Sequence, residues 1–234
     1  MARGGDRDGR SRQERPAGRG QLGPYRSKRD FTRTPEPAGA APPGPDGGTR
    51  RFVVQRHRAR RVHYDLRFEI DGVLVSWAVP NGPTLDPAVK RLAVHVEDHP
   101  IEYLDFEGVI PRGEYGAGDV IVWDIGTWEP HGTDDPAAAV AAGDFHADVQ
   151  GRKLRGRLVL VRRGGNRGDS DQWLLLHKDD DDAVSGWNPD DYPESVLSGR
   201  SVTDASLGGR SERQTRSGSA RTSSLVRPLS TDSG

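Results

Sequence analysis

The 234 residues carry 34 Lys and Arg against 35 Asp and Glu, a net charge of −1 that argues against a uniformly basic nucleic-acid binder but permits a local basic groove. With no cysteine, disulfides, thiolate metal sites and a cysteine nucleophile are excluded, and the absence of any run of about 18 apolar residues excludes a membrane-spanning helix. Hydrophobic residues make up only 32% of a chain with 30 Gly and 17 Pro, which describes a normally apolar body flanked by polar ends, of one or at most two domains.

Residues 1–24 begin "MARGGDRDGRSRQERPAGRG", have no apolar signal region, and read as a disordered Arg/Gly-rich arm. The next stretch, "PYRSKRDFTRTPEP", is too polar for a core element. It reads either as a linker or as an arm docked over a site, with Arg29 offering charge to a phosphate. A body follows over residues 25–190, in which apolar residues recur with period two. "RFVVQRH" and "HYDLRFEI" read as strands, and Asp71-Gly72 supplies a tight hairpin turn into "VLVSWAVP". "RLAVHVED" alternates with Leu92, Val94 and Val96 on one side, which leaves His95 without a role. "GDVIVWDIGTWE", "GRLVLVRR" and "DQWLLLHK" are further strands. "DPAAAVAAG" is a short helix with Asp135 as N-cap, Pro136 at the first position and Gly143 at the C-terminal side. Residues 191–234 form a polar, mostly disordered tail. Many short strands with one or two short helices predict a mainly β fold, a compact closed barrel of antiparallel strands, because closure removes exposed edges.

Within "HRARRVHYDLRFEIDG", Tyr64, Leu66, Phe68 and Ile70 share one face, and His63, Asp65, Arg67 and Glu69 the other. The first is a core face. The second is either solvated surface or a site laid out along a strand. Imidazole and carboxylate suit Mn, Fe, Zn or Ni, and His63 and Asp65 lie roughly 6 to 7 Å apart along a strand, close enough to converge on one ion. His57 sits six residues upstream of His63 and reaches the same ion only through a bend or a neighbouring strand, with Ala59-Arg60-Arg61 the place for it. Arg67 adds a guanidinium fork suited to phosphate. In "VEDHPIEY", Pro100 holds His99 extended at a strand end, and His99 and Tyr103 either orient a phosphate, protonate a leaving oxygen, or are ordinary surface. "VIPRGEYGAGDV" lacks a P-loop ending, so Gly113, Gly116 and Gly118 serve backbone turning.

The stretch from "HRARRVHYDLRFEIDG" to "EDHPIEYLDFEGVIPRGEYGAGDVIVWDIGTWEP", with "YRSKRDFTRTPEP" before it and "WLLLHKDDDDA" after, resembles the 3'-phosphoesterase domain of bacterial DNA ligase D over roughly residues 25 to 185. The resemblance implies a manganese-dependent β-barrel enzyme of end-joining repair, with other divalent metals possible as cofactor. It trims a 3'-terminal ribonucleoside and then removes the 3'-phosphate to leave a 3'-OH. It makes His57, His63 and Asp65 the metal ligands and assigns Arg67 to a phosphate. His99 and Tyr103 become active-site groups, and Arg29, with Asp30 and Glu36 in support, completes the site. The implied partners are DNA 3' ends, as primer–templates ending in a ribonucleotide or a 3'-phosphate. Because ligase and polymerase domains do not fit in 234 residues, the expectation is a stand-alone, cytoplasmic, nucleoid-associated protein working with a separate ligase or polymerase. Two other readings stand beside it: a non-catalytic DNA-end-binding barrel with a basic arm, and a cupin-like metalloenzyme. The latter is weakened by the lack of an H-x-H pair at the required spacing.

Overall fold

The structure, a computed structural model, describes residues 22–39, 48–164 and 171–202. Nine strands are described: β1 (Arg51–Arg58), β2 (Val62–Ile70), β3 (Val73–Val79), β4 (Arg91–His99), β5 (Gly108–Ile110), β6 (Gly118–Pro130), β7 (Asp144–Gly151), β8 (Arg155–Arg162) and β9 (Gln172–His177). Two short helices, α1 (Gly23–Ser27) and α2 (Pro136–Ala142), accompany them. Hydrogen bonding runs β1-β2-β3-β4-β9-β8-β7-β6, and β6 returns to β1, so eight strands close an antiparallel barrel and β5 adds to the end of β6. The expected mainly β, closed architecture is therefore present.

Local chemistry sets the turns. Asp71 (φ 48°) and Gly72 (φ 77°) occupy the left-handed region that a two-residue hairpin between β2 and β3 requires. Asp135 accepts a hydrogen bond from the Ala138 amide at 2.9 Å, Pro136 opens α2, and Gly143 ends it at φ 85°. Two strands were not expected from the sequence. β5 has only three residues, and β7, "DFHADVQG", hides its inward set Phe145, Ala147 and Val149 between polar residues.

The barrel interior is one apolar cluster to which all eight strands contribute. Trp77, Trp123, Trp128 and Trp173 are fully buried, and Phe68 meets Trp128 and Phe145 edge to face at 5.2 Å each. Tyr64, Leu66, Phe68 and Ile70 all point into it, as their alternation predicts. On β4 the inward side is Ala93 and His95, whose ring lies 5.1 Å from Trp77, while Leu92 is exposed. The apolar set Leu92, Val94 and Val96 therefore lies on the outer side of β4.

A second, smaller cluster lies on the outer wall, where Val53, Leu74 and Val122 project away from the interior set. Tyr25 of α1, together with Tyr103 and Leu104, covers them. Consequently the polar face of β2 is not solvated: Asp65 and Arg67 are 8% and 3% exposed. "PYRSKRDFTRTPEP" is the covering segment, with Tyr25 fully buried. The expected disordered arm and tail lie mostly outside the described residues. Their inner margins pack on the barrel: Leu22 joins the interior cluster, Val196 donates its amide to Val122 at 3.0 Å, and Trp123 Nε1 donates to the Tyr192 carbonyl at 2.6 Å.

Candidate active site

β1 and β2 form a hairpin whose register sets His57 directly opposite His63. The chain turns at residues 59–61, so the six-residue offset is bridged by a neighbouring strand. The two rings lie 4.7 Å apart between centroids. Asp65, two residues along β2, places its carboxylate 3.7 Å from His57 Nδ1 and 3.8 Å from His63 Nε2. One ligand atom from each of these three residues lies within 4.8 Å of the others, and no other group of three such residues converges this way among the described residues. Two further observations fit a divalent cation. His63 Nδ1 stands 3.3 Å from the Arg61 carbonyl, the second contact that fixes a ligating imidazole and frees Nε2. His57 Nε2 is buried without a hydrogen-bond partner, an unmet capacity at the cluster.

Arg67 organises what lies beside this cluster. Its Nε donates to Gln55 Oε1 at 2.9 Å, its Nη1 reaches Ser76 Oγ and His99 Nδ1 at 2.9 Å each, and its Nη2 lies 3.3 Å from Asp65. Gln55, in turn, donates to the carbonyls of Tyr103 and Phe106 at 3.0 Å each. Burial alone would raise the Asp65 pKa, but Arg67 beside it and the two histidines hold it well below the usual carboxylate range. His99 moves the other way. Burial first, then Arg67 and Arg29, push it well below an ordinary histidine, so its ring is held neutral.

His99 reaches this network through an irregularity in β4. Ser76 pairs with Val96, but Leu74 pairs with His99, so Glu97 and Asp98 together occupy the space of one residue. In a regular strand Asp98 would face the site. The bulge brings His99 there instead. Glu97 then meets the covering segment, where Arg29 Nη1 lies 3.4 Å and Lys28 Nζ 3.2 Å from its carboxylate.

Arg29 is itself almost wholly buried. Its Nε donates to Glu36 Oε1 at 2.9 Å, its Nη1 donates to the Tyr25 carbonyl at 3.0 Å, and its Nη2 approaches His99 Nε2 at 3.5 Å. Glu36 also accepts from Tyr103 Oη and Thr34 Oγ1 at 2.9 Å each. Burial, and then the Glu36 charge, raise the Tyr103 phenol well above its ordinary pKa, so it remains a donor. Arg29, Glu36, His57, His63, Asp65, Arg67, His99 and Tyr103 thus line one cavity of about 230 Å³. Asp30 is not brought there. It is exposed, and its carboxylate accepts from Thr32 N at 3.0 Å and Thr32 Oγ1 at 2.7 Å, holding the turn after Arg29.

Three participants escape a reading of the sequence. Gln55 was legible in principle, lying two residues before His57 on the same strand face. Ser76 and Glu97 were not, since cross-strand register and the bulge place them.

Fold and pocket together define a β-barrel domain whose outer wall holds a His/His/Asp cluster with the donor set for a divalent cation beside two buried guanidinium groups, an arrangement suited to a phosphoryl group. A sequence model of the DNA Ligase D 3'-phosphoesterase domain matches residues 55–162. Over 184 residues the chain is 52% identical to the multifunctional non-homologous end joining protein LigD of Pseudomonas aeruginosa, covering 77% of this chain and 22% of the relative. The LigD of Mycobacterium tuberculosis is 50% identical over 145 residues, 61% of this chain and 18% of the relative. That of Mycolicibacterium smegmatis is 43% identical over 186 residues, 78% and 23%. Residues 55–162 of the chain belong to the DNA ligase D 3'-phosphoesterase domain family. It spans about a fifth of the length of the relatives it matches. Among the described residues no helix is long and apolar enough to cross a membrane.

Proposed function

We propose that the chain is a metal-dependent phosphoesterase of DNA 3' ends in non-homologous end joining. It removes a 3'-terminal ribonucleoside to leave a 3'-phosphate, and then removes that phosphate to leave a 3'-OH. The observation that carries this reading is the convergence of His57, His63 and Asp65 beside Arg67, Arg29 and His99 in one cavity of a domain from this family. Manganese is the proposed ion, held by His57, His63 and Asp65. A divalent cation there supplies Lewis-acid polarisation of a phosphoryl oxygen.

The remaining work falls to the chain's own side chains. Arg67 donates to Gln55 and Ser76, lies against His99 Nδ1 and pairs with the Asp65 carboxylate, so its guanidinium is held on every side. It therefore acts as a rigid positive charge with little reorganisation left to do as negative charge develops on phosphoryl oxygens. Arg29, anchored by Glu36, adds a second such charge. His99, kept neutral between the two guanidinium groups, orients a phosphoryl oxygen or a water by hydrogen bonding, not as an imidazolium acid. Glu36 and Tyr103 position Arg29 and the wall of the cavity.

The test uses a primer–template with one 3'-terminal ribonucleotide and purified protein with manganese. Stepwise appearance of a 3'-phosphate and then a 3'-OH supports the proposal. Binding without turnover in every divalent metal tried would replace it with an end-binding module. The substrates, together with a ligase or polymerase acting on the product end, are the partners this chemistry implies.

A further inference from the structure

Next to the candidate active site lies a groove of about 790 Å³ that shares Ala59, His63, Tyr115 and Gly116 with it. One wall is the β1–β2 turn, carrying Arg60 and Arg61. The other is the loop after β5, carrying Tyr115. Arg60 and Arg61 are exposed and make no ion pair among the described residues. Glu114, the acid on the groove wall, is paired with Arg33 at 2.8 Å and so does not cancel them. Tyr115 is 48% exposed although its ring is held in place. Lys28 Nζ lies 4.8 Å and the Arg29 guanidinium 5.3 Å from its ring centroid. Lys28 Nζ also lies 3.4 Å from its hydroxyl. An aromatic ring fixed in orientation, open to solvent and flanked by unpaired arginines combines the two features that single-stranded nucleic acid needs: a stacking platform and a cationic track.

We propose that this groove is the subsite for the strand bearing the 3' end: the 3'-terminal base, unpaired from any template, stacks on Tyr115, and Arg60 and Arg61 contact the backbone phosphates leading to it. The inference rests on the proposed DNA 3'-end activity and deepens it by specifying a splayed, single-stranded terminus as the bound form. It requires no covalent step. It makes the last base matter by its presence and not its identity, since every base has a stacking face.

Binding is measured on the full chain in EDTA, by fluorescence anisotropy of 5'-labelled, 3'-phosphorylated single-stranded oligonucleotides whose last nucleotide carries a base or is abasic. The wild-type protein is expected to bind the base-bearing strand about 5- to 100-fold more tightly than the abasic one. Tyr115→Ala should abolish that ratio and Tyr115→Phe restore it, a pattern that general loss of folding does not produce. Replacing Arg60 and Arg61 by alanine should reduce the slope of log affinity against log salt by about 0.7 for each phosphate left without its arginine. A wild-type ratio near one, a ratio unchanged in Tyr115→Ala, an unchanged salt slope, or no binding at all overturns the inference. A protein that shows the ratio but turns over no 3' end in manganese retains the subsite and loses the proposed activity, so the two failures are distinguishable.

Discussion

His57 and His63 are direct cross-strand partners at the turn end of the β1–β2 hairpin, and their rings converge with the Asp65 carboxylate on one point of the outer barrel wall. Two residues on facing strands of a tight hairpin are a direct way to bring two imidazoles together. Their separation is set by sheet geometry, not by loop conformation.

The members of this cluster differ in what their loss would do. The His63 side chain is 26% exposed and bonds only a nearby carbonyl, so His63→Ala should retain stability within about 0.5 kcal/mol while losing manganese binding and turnover. Asp65→Ala leaves Arg67 buried without its carboxylate and should cost about 3 kcal/mol as well as the metal. Calorimetric titration with manganese and urea denaturation of both variants separate these effects. Metal affinity unchanged in His63→Ala would remove it from the ligand set.

Glu36 holds Arg29 and Tyr103 at once in an almost water-free position. Glu36→Ala should lower stability by about 3 kcal/mol, whereas Tyr103→Phe, losing one hydrogen bond to a charged group, should lower it by about 1.5–2 kcal/mol. Chemical denaturation reads both. Equal costs would mean that Arg29 finds another partner.

Asp98, displaced into the bulge of β4, has its pKa pushed up to about 6, first by burial and then by the Glu97 charge. A carboxyl group raised in the folded state binds more protons there than in the unfolded chain between about pH 4 and 6, so its contribution falls as pH rises through that window and stays low above it. Asp98→Asn should therefore stabilise the protein at pH 7 by about 1–2 kcal/mol, allowing for partial solvent screening. The gain should vanish below about pH 4. Thermal unfolding of both proteins from roughly pH 3.5 to 8 checks the sign across that window, and a gain independent of pH would contradict it.

Gly118 begins β6 where it crosses the end of β1. A Cβ at this position would lie 2.2 Å from the Arg58 carbonyl oxygen and 2.7 Å from His57 Nε2. Gly118→Ala should separate β1 from β6, cost roughly 2–4 kcal/mol, and weaken manganese binding by displacing His57. A variant with wild-type stability and metal affinity would show that the two strands can part without disturbing the ligand.

What the sequence revealed and what it concealed divide along a physical line. Period two exposed the inward set Tyr64, Leu66, Phe68 and Ile70, and residue-specific turn chemistry exposed Asp71-Gly72 and the caps of α2, because those signals are local. The same face rule placed Asp65 and Arg67 correctly on the outer wall but suggested solvent around them. Their burial comes from Tyr25 and Tyr103, dozens of residues away in sequence. The bulge that delivers His99 has no signature in "VEDH", and a strict alternation would have chosen Asp98. Asp30 was carried toward the site by resemblance alone, and its short side chain is already satisfied by Thr32. The proposed manganese and catalytic roles come from the likeness to a family alone, whereas His57, His63 and Asp65 are candidate ligands already by residue type and strand face.

The segment carrying Arg29 and Glu36 precedes the first strand and lies against the finished outer wall, and this bears on the order of assembly. Its contacts with Glu97, His99 and Tyr103 span about seventy residues, whereas β1, β2 and β3 meet through tight turns. Short loops close before long ones, so the β1–β2–β3 meander forms first and the polar pocket is completed afterwards by docking of this early segment of the chain. In pulse-labelled hydrogen exchange during refolding, the paired amides of β1, β2 and β3 should therefore be protected ahead of any signal that reports Arg29 in place.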